Sequence, residues 1–286
     1  MAVGTTRGKR RLGRYIRPLM ERSGLTPKEV ATQARCAQQT VTRLLSGDSL
    51  PRIHLFLMIL SVLDVREDER AKAVQLWEVA DADTATIEHA AELPVSYRRF
   101  RIDEREGRLE RTLDAVIIPG LLQTPEYAAA NASKGRVRGN WDAEAEAAER
   151  RDRQGLLHRP ENPLELHALI DEAVLRRVIG GSEVMAGQLD HLLAMAALPH
   201  VTVQVIPFDV GAYGAMSGPL VLLSFPEDDE PDSAYVESLI GMHTVENQVD
   251  VSALSAVWDG AAAMARSPEE TITIIRALRG NLDGHG

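Results

Sequence analysis

The chain of 286 residues is 44% hydrophobic and 26% charged, which excludes a disordered or fibrous protein and allows roughly two domains of about 150 residues each. Its net charge of −10 hides a division: residues 1–55 carry 11 Lys and Arg against 3 Asp and Glu, whereas residues 160–286 carry 5 against 19. A cationic head on an anionic body points to a polyanion as partner of the first fifth, with a basic segment that has no partner as the plainer alternative.

The single cysteine, Cys36, excludes an internal disulfide, and the eight histidines show no recurring metal-ligand spacing, so no cofactor or metal is expected and a reducing cytoplasm fits. The basic stretch Met1 to Arg11 is not followed by an apolar run and does not read as a secretory signal. The longest apolar run, Leu55 to Leu63 with Ser61 inside it, falls well short of the roughly 20 residues that cross a bilayer, so no membrane span is expected.

From Lys9 to about Ala80 the pattern is one of short helices with tight polar breaks. Leu12, Tyr15, Ile16, Leu19 and Met20 share one helical face, with arginines elsewhere around it. After Ser23 and Gly24, Thr26-Pro27-Lys28-Glu29 reads as a helix start: Thr26 caps, Pro27 occupies the first turn where its missing N–H is harmless, and Glu29 completes a capping box. That helix reaches about Ala34, turns at Arg35-Cys36-Ala37, and is followed by a helix over Gln38 to Leu45 that stops at Ser46-Gly47. Ile53 to Leu63 and Glu67 to Val79 are two more helices.

The charge-laced stretch Arg98 to Arg111 suits an exposed connecting helix, which places a helical linker over 81–112 between a domain at 1–80 and another at 113–286. Beyond it, Leu164 to Leu169, Val201 to Ile206, Leu220 to Phe225 and Tyr235 to Ile240 are apolar, β-branched runs bounded by Pro, Gly and Asp, and read as strands. Helical segments are expected at Asp142 to His158, Glu172 to Ile179, Glu183 to Leu198, Val251 to Arg266 and Pro268 to Leu278, with the acidic stretch Glu227 to Asp232 as a loop between antiparallel strands. The expected fold is mainly α: a five-helix amino-terminal domain, then an α+β domain with a small, mostly antiparallel sheet.

Two short helices joined by a three-residue turn in a basic helical domain match the helix-turn-helix design, whose second helix enters the major groove. Val41, Leu44 and Leu45 share the side that would pack on Val30 and Ala31, leaving Gln38, Gln39, Thr42 and Arg43 outward. Gln pairs with adenine and Arg with guanine, so these four are the candidate base contacts. Arg10, Arg11, Arg14, Thr26 and Lys28 are the candidate phosphate contacts.

Residues Leu25 to Ala31 with Gln38 to Gly47 resemble the Cro and repressor type helix-turn-helix domain, also called the xenobiotic-response-element type, over about residues 10–65. In that family the start of the recognition helix and the next turn touch bases, which implies Gln38, Gln39, Thr42 and Arg43. The chain departs from the family at Pro27, where a phosphate-supporting glutamine is frequent, at Arg35, where a turn glycine is common, and at Pro18 inside the first helix, which would kink it or start it near Arg17.

Ile118 to Ala128, Asp171 to Leu175, Gln188 to Leu192, Val201 to Phe208 and Tyr235 to Glu237 resemble the uncharacterised domain behind such heads in WhiJ-like regulators of actinomycetes. The resemblance implies a transcriptional regulator of development or secondary metabolism, in some arrangements antitoxin-like with a small acidic protein partner. It assigns no catalytic residue.

Nucleophile-elbow, P-loop, dinucleotide and zinc-helix motifs are all absent from the sequence, so no enzyme is expected. Gln123, Glu172 and Glu237 are polar residues in apolar surroundings that would either line a ligand or partner pocket or cap loop backbone. His167 and His243 would meet in space or serve separately as structural histidines; Trp141 and Trp258 read as core or interface. Cys36, beside Arg35, would be a redox-sensitive thiol or a small buried hydrophobe. The expectation is a dimeric, sequence-specific reader of a roughly palindromic duplex operator, tuned through its carboxy-terminal domain by an effector or a protein; the competing reading is an antitoxin-like adaptor whose DNA binding is only autoregulatory.

Overall fold

The computed structural model describes residues 7–82, 95–135, 143–214, 216, 218–227, 230–238 and 241–283, in two compact units, 1–103 and 104–286. The first unit holds α1 (Arg7–Ser23), α2 (Pro27–Gln33), α3 (Gln38–Leu45), α4 (Ile53–Val62) and α5 (Glu67–Ala82), and most of α6 (Val95–Glu106). Leu12, Ile16, Val30, Ala31, Val41, Leu44, Phe56, Ile59 and Leu60 form its core, so the apolar stripe of each short helix finds a partner stripe. Proline at position 18 neither starts nor ends α1, which runs from Arg7 through Ser23.

The second unit is built on six strands: β1 (Leu109–Asp114), β2 (Glu165–Asp171), β3 (Val201–Ile206), β4 (Leu220–Ser224), β5 (Ser233–Ser238) and β6 (Gly241–Val245). They lie in the order β3-β2-β1-β4-β5-β6, parallel across β1, β2 and β3 and antiparallel from β1 through β4 and β5 to β6. Helices α7 (Pro125–Gly135), α9 (Glu172–Arg176), α10 (Ser182–Met195) and α12 (Pro268–Asp283) cluster with one face of the β2–β3 half, and α8 (Ala143–Gln154) leads into Leu156 and Leu157 of the same cluster. The other face packs Leu113, Leu169, Leu220 and Leu222 against Val251, Trp258 and Ala261 of α11 (Gln248–Ala262). The edge strand β3 is covered at its end: Val205 N–H donates to Thr271 Oγ1 at 3.0 Å and Val205 O accepts from Arg266 N at 2.8 Å.

The mainly helical architecture with an α+β second unit is as expected, but the segment 98–111 is not one helix. It is helical to Glu106 and then becomes β1, the strand between β2 and β4. Its alternate residues Glu110, Thr112 and Asp114 are buried polar groups where a central strand ordinarily carries aliphatics, which disguises it as a surface segment. Burial pushes the Asp114 carboxyl up to about 7; the Thr112 hydroxyl bonded to it opposes the rise, Glu237 adds to it and Arg153 opposes it. Helix α7 and strand β6 had no counterpart among the expected elements, while the loop between β4 and β5 joins antiparallel strands as expected.

Candidate nucleic-acid interface

The start of α2 is set by local chemistry. Glu29 N donates to Thr26 Oγ1 at 3.3 Å and Thr26 N donates to Glu29 Oε2 at 2.8 Å, a complete capping box with Pro27 in the first turn. The Thr26 hydroxyl hydrogen bond also holds the Glu29 carboxyl below its ordinary range. In the turn, Arg35 adopts φ 54°, the left-handed conformation expected of a position that favours glycine. Cys36 is half-buried beside the core, its N–H bonded to Ala31 O at 2.9 Å, and burial pushes its thiol up, which fits the small hydrophobe and works against a reactive thiolate.

Helix α3 covers the expected Gln38 to Leu45, with Val41 and Leu44 buried and Gln38, Gln39, Thr42 and Arg43 exposed. The Thr42 hydroxyl donates to Gln38 O at 3.2 Å. Eight residues at about 1.5 Å each make a rod of roughly 12 Å, a length that lies within a major groove. Its far end is anchored on α1. Arg17 Nη2 donates to Leu45 O at 3.1 Å, and a Cβ on Gly13 would stand 2.7 Å from both Leu44 O and Leu45 O. Gly47, at φ 74°, lies so close to α1 that a Cβ there would stand 2.7 Å from Arg10 Cα. Arg17 and Gly13 therefore hold α3 in place, a role the sequence offers no marker for, since their partners are carbonyl groups about thirty positions away.

The five phosphate candidates divide. Lys28 and Thr26 are exposed, although the Thr26 hydroxyl is engaged by Glu29; Arg11 and Arg14 are half-buried on α1. Arg10 is a correction: it is 4% exposed and its guanidinium pairs with Asp103 of α6, so it faces the protein and not a phosphate. Sequence proximity to other arginines hid this, because the partner lies 93 positions on.

In the second unit Gln123 is buried and braces backbone: Nε2 donates to Ile118 O at 2.7 Å and Oε1 accepts from Arg150 Nε at 2.9 Å. Gln188 does the same for the next residues, accepting from Thr124 N at 2.7 Å and donating to Leu122 O at 2.7 Å. Glu172 accepts from Phe208 N at 3.0 Å and from Arg176, while Glu237 is exposed at the end of β5. Among the described residues no contact joins these three candidates, and two of them serve loops. His167 and His243 do not meet either: β2 and β6 are four strand steps apart, roughly 19 Å. His167 Nε2 lies 2.6 Å from Gln204 Oε1 and its ring meets Trp258 edge-on at 4.7 Å; burial lowers its pKa. Trp258 is buried core, its indole N–H bonded to Thr112 O at 2.9 Å, and Trp141 lies outside the described residues. No described group of His, Cys, Asp and Glu is arranged to hold a metal ion, and no described helix is long and apolar enough to cross a membrane.

Comparison with known proteins agrees with this division. Residues 11–73 match the model of a helix-turn-helix domain, and residues 97–277 match that of a domain of unknown function, DUF5753. No curated protein matches the chain. No solved structure matches it either. The first match runs from within α1 into α5 and supports a DNA-binding regulator in general terms; the second spans more than half of the sequence, and the chain belongs to the DUF5753 family.

Proposed function

We propose that the protein is a non-enzymatic transcriptional regulator that reads duplex DNA with α3, placing Gln38, Gln39, Thr42 and Arg43 against base edges and Arg11, Arg14, Lys28 and Thr26 near phosphates. The observation that carries this reading is the exposure of all four polar side chains on a helix whose other face is locked into the core by Val41 and Leu44. One such helix spans only a few base pairs, so the protein binds as a dimer to a rough palindrome with half-sites about 34 Å apart. The acidic second domain, 113–286 in sequence terms, serves as the regulatory part, answering an effector or a protein, and the protein works in the cytoplasm. The resemblance of its segments to WhiJ-like regulators of actinomycetes supports a developmental or metabolic target.

Selection of bound duplexes from random DNA tests this directly: the wild type enriches a sequence with dyad symmetry, and Arg43→Ala and Gln39→Ala each lose about 1–3 kcal/mol and relax preference at one position. Unaltered preference in both variants rules out this register of α3. In the antitoxin-like adaptor reading, a small acidic partner would have to meet a region that already carries 19 acidic against 5 basic residues over 160–286. That charge balance favours the DNA-reading function; a stoichiometric small protein co-purifying from the native host would reverse the preference.

A further inference from the structure

The two edges of the six-stranded sheet are unlike. Thr271 and Arg266 close the end of β3, whereas nothing among the described residues bonds to the outer side of β6. Which groups point out follows from the register. Glu237 N donates to Pro219 O on the β4 side at 3.4 Å, so the alternate β5 residues Ala234, Val236 and Ser238 face β6. Their partners Val245, His243 and Gly241 spend their backbone groups on β5, and the N–H and C=O of Met242 and Thr244 point away from the sheet. The strand carries none of the devices that blunt an edge. Gly241-Met242-His243-Thr244-Val245 has no lysine, no proline and no acidic residue, and its pairing with β5 runs one to one without a bulge. Around it, residues 160–286 hold 19 acidic against 5 basic side chains, so an uncharged edge is a stretch where two copies of this acidic unit meet with little repulsion. Val249, at 78% the most exposed of the large hydrophobic side chains described, stands four residues past the end of β6.

We propose that β6 is a docking edge for β6 of a second copy of this chain, paired antiparallel about a dyad at His243. In that register Met242 N–H donates to the partner's Thr244 O, and Met242 O accepts from the partner's Thr244 N–H. The dyad repeats both, so four hydrogen bonds satisfy every outward backbone group of the two strands. His243 then faces its own twin as a pair without mutual hydrogen bonds, the Cα atoms about 4.5 Å apart. The inference rests on the DNA-reading function for the need of two copies, whereas the pairing itself is a property of the second unit. On a palindromic duplex the two copies are held near one another, so even a weak edge completes the dimer there.

Sedimentation velocity of the full-length protein without DNA, from about 5 to 300 µM, reads the pairing. Five residues of strand bury far less than the roughly 1,200–2,000 Å² of a standard interface, so the wild type is expected to be a weak dimer, half-associated near about 50 µM. Thr244→Pro removes an outward N–H and leaves the β5 ladder intact, so it is expected to keep the wild-type circular dichroism and to weaken association at least about tenfold. His243→Lys and His243→Glu each set like charges directly opposite across the dyad, an expected loss of about fivefold, and an equal mixture of the two recovers wild-type association through opposite charges. Should Thr244→Pro not fold, the histidine variants decide alone, since that side chain is exposed. A wild type that stays monomeric to about 300 µM overturns the inference and assigns the edge to an extended segment of another protein. A dimer that all three variants leave unchanged overturns it too, as does a mixture that fails to recover. A dimer that selects no duplex ends the DNA-reading function and not the pairing; duplex selection by a protein whose association ignores these substitutions ends the pairing and not the DNA reading.

Discussion

Glu69 stands in the first turn of α5, where its carboxylate accepts two bonds from Arg22, at 2.8 and 2.6 Å, and one from Arg66 N at 3.1 Å. The Arg22 hydrogen bonds, ahead of all other causes, hold it at about 2 instead of 4.5. A carboxyl lowered in the folded state contributes stability that is complete above pH 4.5 and is lost as pH falls towards about 2. Glu69→Gln is therefore expected to flatten the acid limb of a denaturation series over that window. Asp114 works in the opposite sense. Its carboxyl is raised from 3.8 to about 7 chiefly by burial, so its contribution is complete below pH 3.8 and is lost as pH rises through about 7. Asp114→Asn keeps an acceptor for Thr112 and removes that second slope; denaturant midpoints measured from pH 4 to 8 that keep the wild-type slope would refute the assignment. Arg35, at φ 54°, carries left-handed strain, and Arg35→Gly is expected to raise stability by about 0.5–1 kcal/mol in urea unfolding, the relief exceeding glycine's entropic cost.

At the scale of elements, the contact between α1 and the end of α3 leaves no room for a methyl group. Gly13→Ala would drive a Cβ to 2.7 Å from two backbone carbonyl oxygens, which cannot rotate away as a side chain does. The expected cost is about 1–3 kcal/mol of stability, together with weaker DNA binding as α3 shifts on its seat. Equal thermal stability in Gly13→Ala would show that α1 yields instead. The helices on either side of the turn were legible because their signals are local: the Thr26 to Glu29 box, the Pro27 start and the Gly47 stop all act within one turn of the residues that display them. Strand β1 was not, since Leu109, Arg111 and Leu113 alternate with Glu110, Thr112 and Asp114, and a strand polar on one face and mixed on the other looks like solvent-facing helix until its neighbours are known. The inward turn of Arg10 was hidden for a related reason. Nothing near it in sequence supplies the carboxylate that draws it in; Asp103 does so only after α6 has folded back on α1. The outward face of α3 could be read from periodicity, whereas its anchoring by Arg17 and Gly13 depends on carbonyl groups, which every sequence possesses and none advertises.

Over the whole molecule, the charge division makes ionic strength the most direct probe of which cations meet DNA. Each cation that neutralises a phosphate contributes about 0.9 to the slope of log affinity against log salt, whatever the base sequence. Replacement of Arg11, Arg14 or Lys28 by Gln is therefore expected to reduce that slope by roughly 0.9 in anisotropy titrations between about 50 and 200 mM salt, and to leave the preferred sequence unchanged. Arg10→Gln should behave differently. It removes the guanidinium that pairs with the buried Asp103 carboxylate, so folding stability is expected to fall, while the slope of the protein that remains folded stays at the wild-type value. The contrast separates two kinds of arginine on one helix, those proposed to meet phosphate and the one that pairs with Asp103 of α6. A slope reduced by Arg10→Gln and unaffected by Arg11→Gln, Arg14→Gln and Lys28→Gln would invert the assignment and place the DNA backbone along a different side of α1.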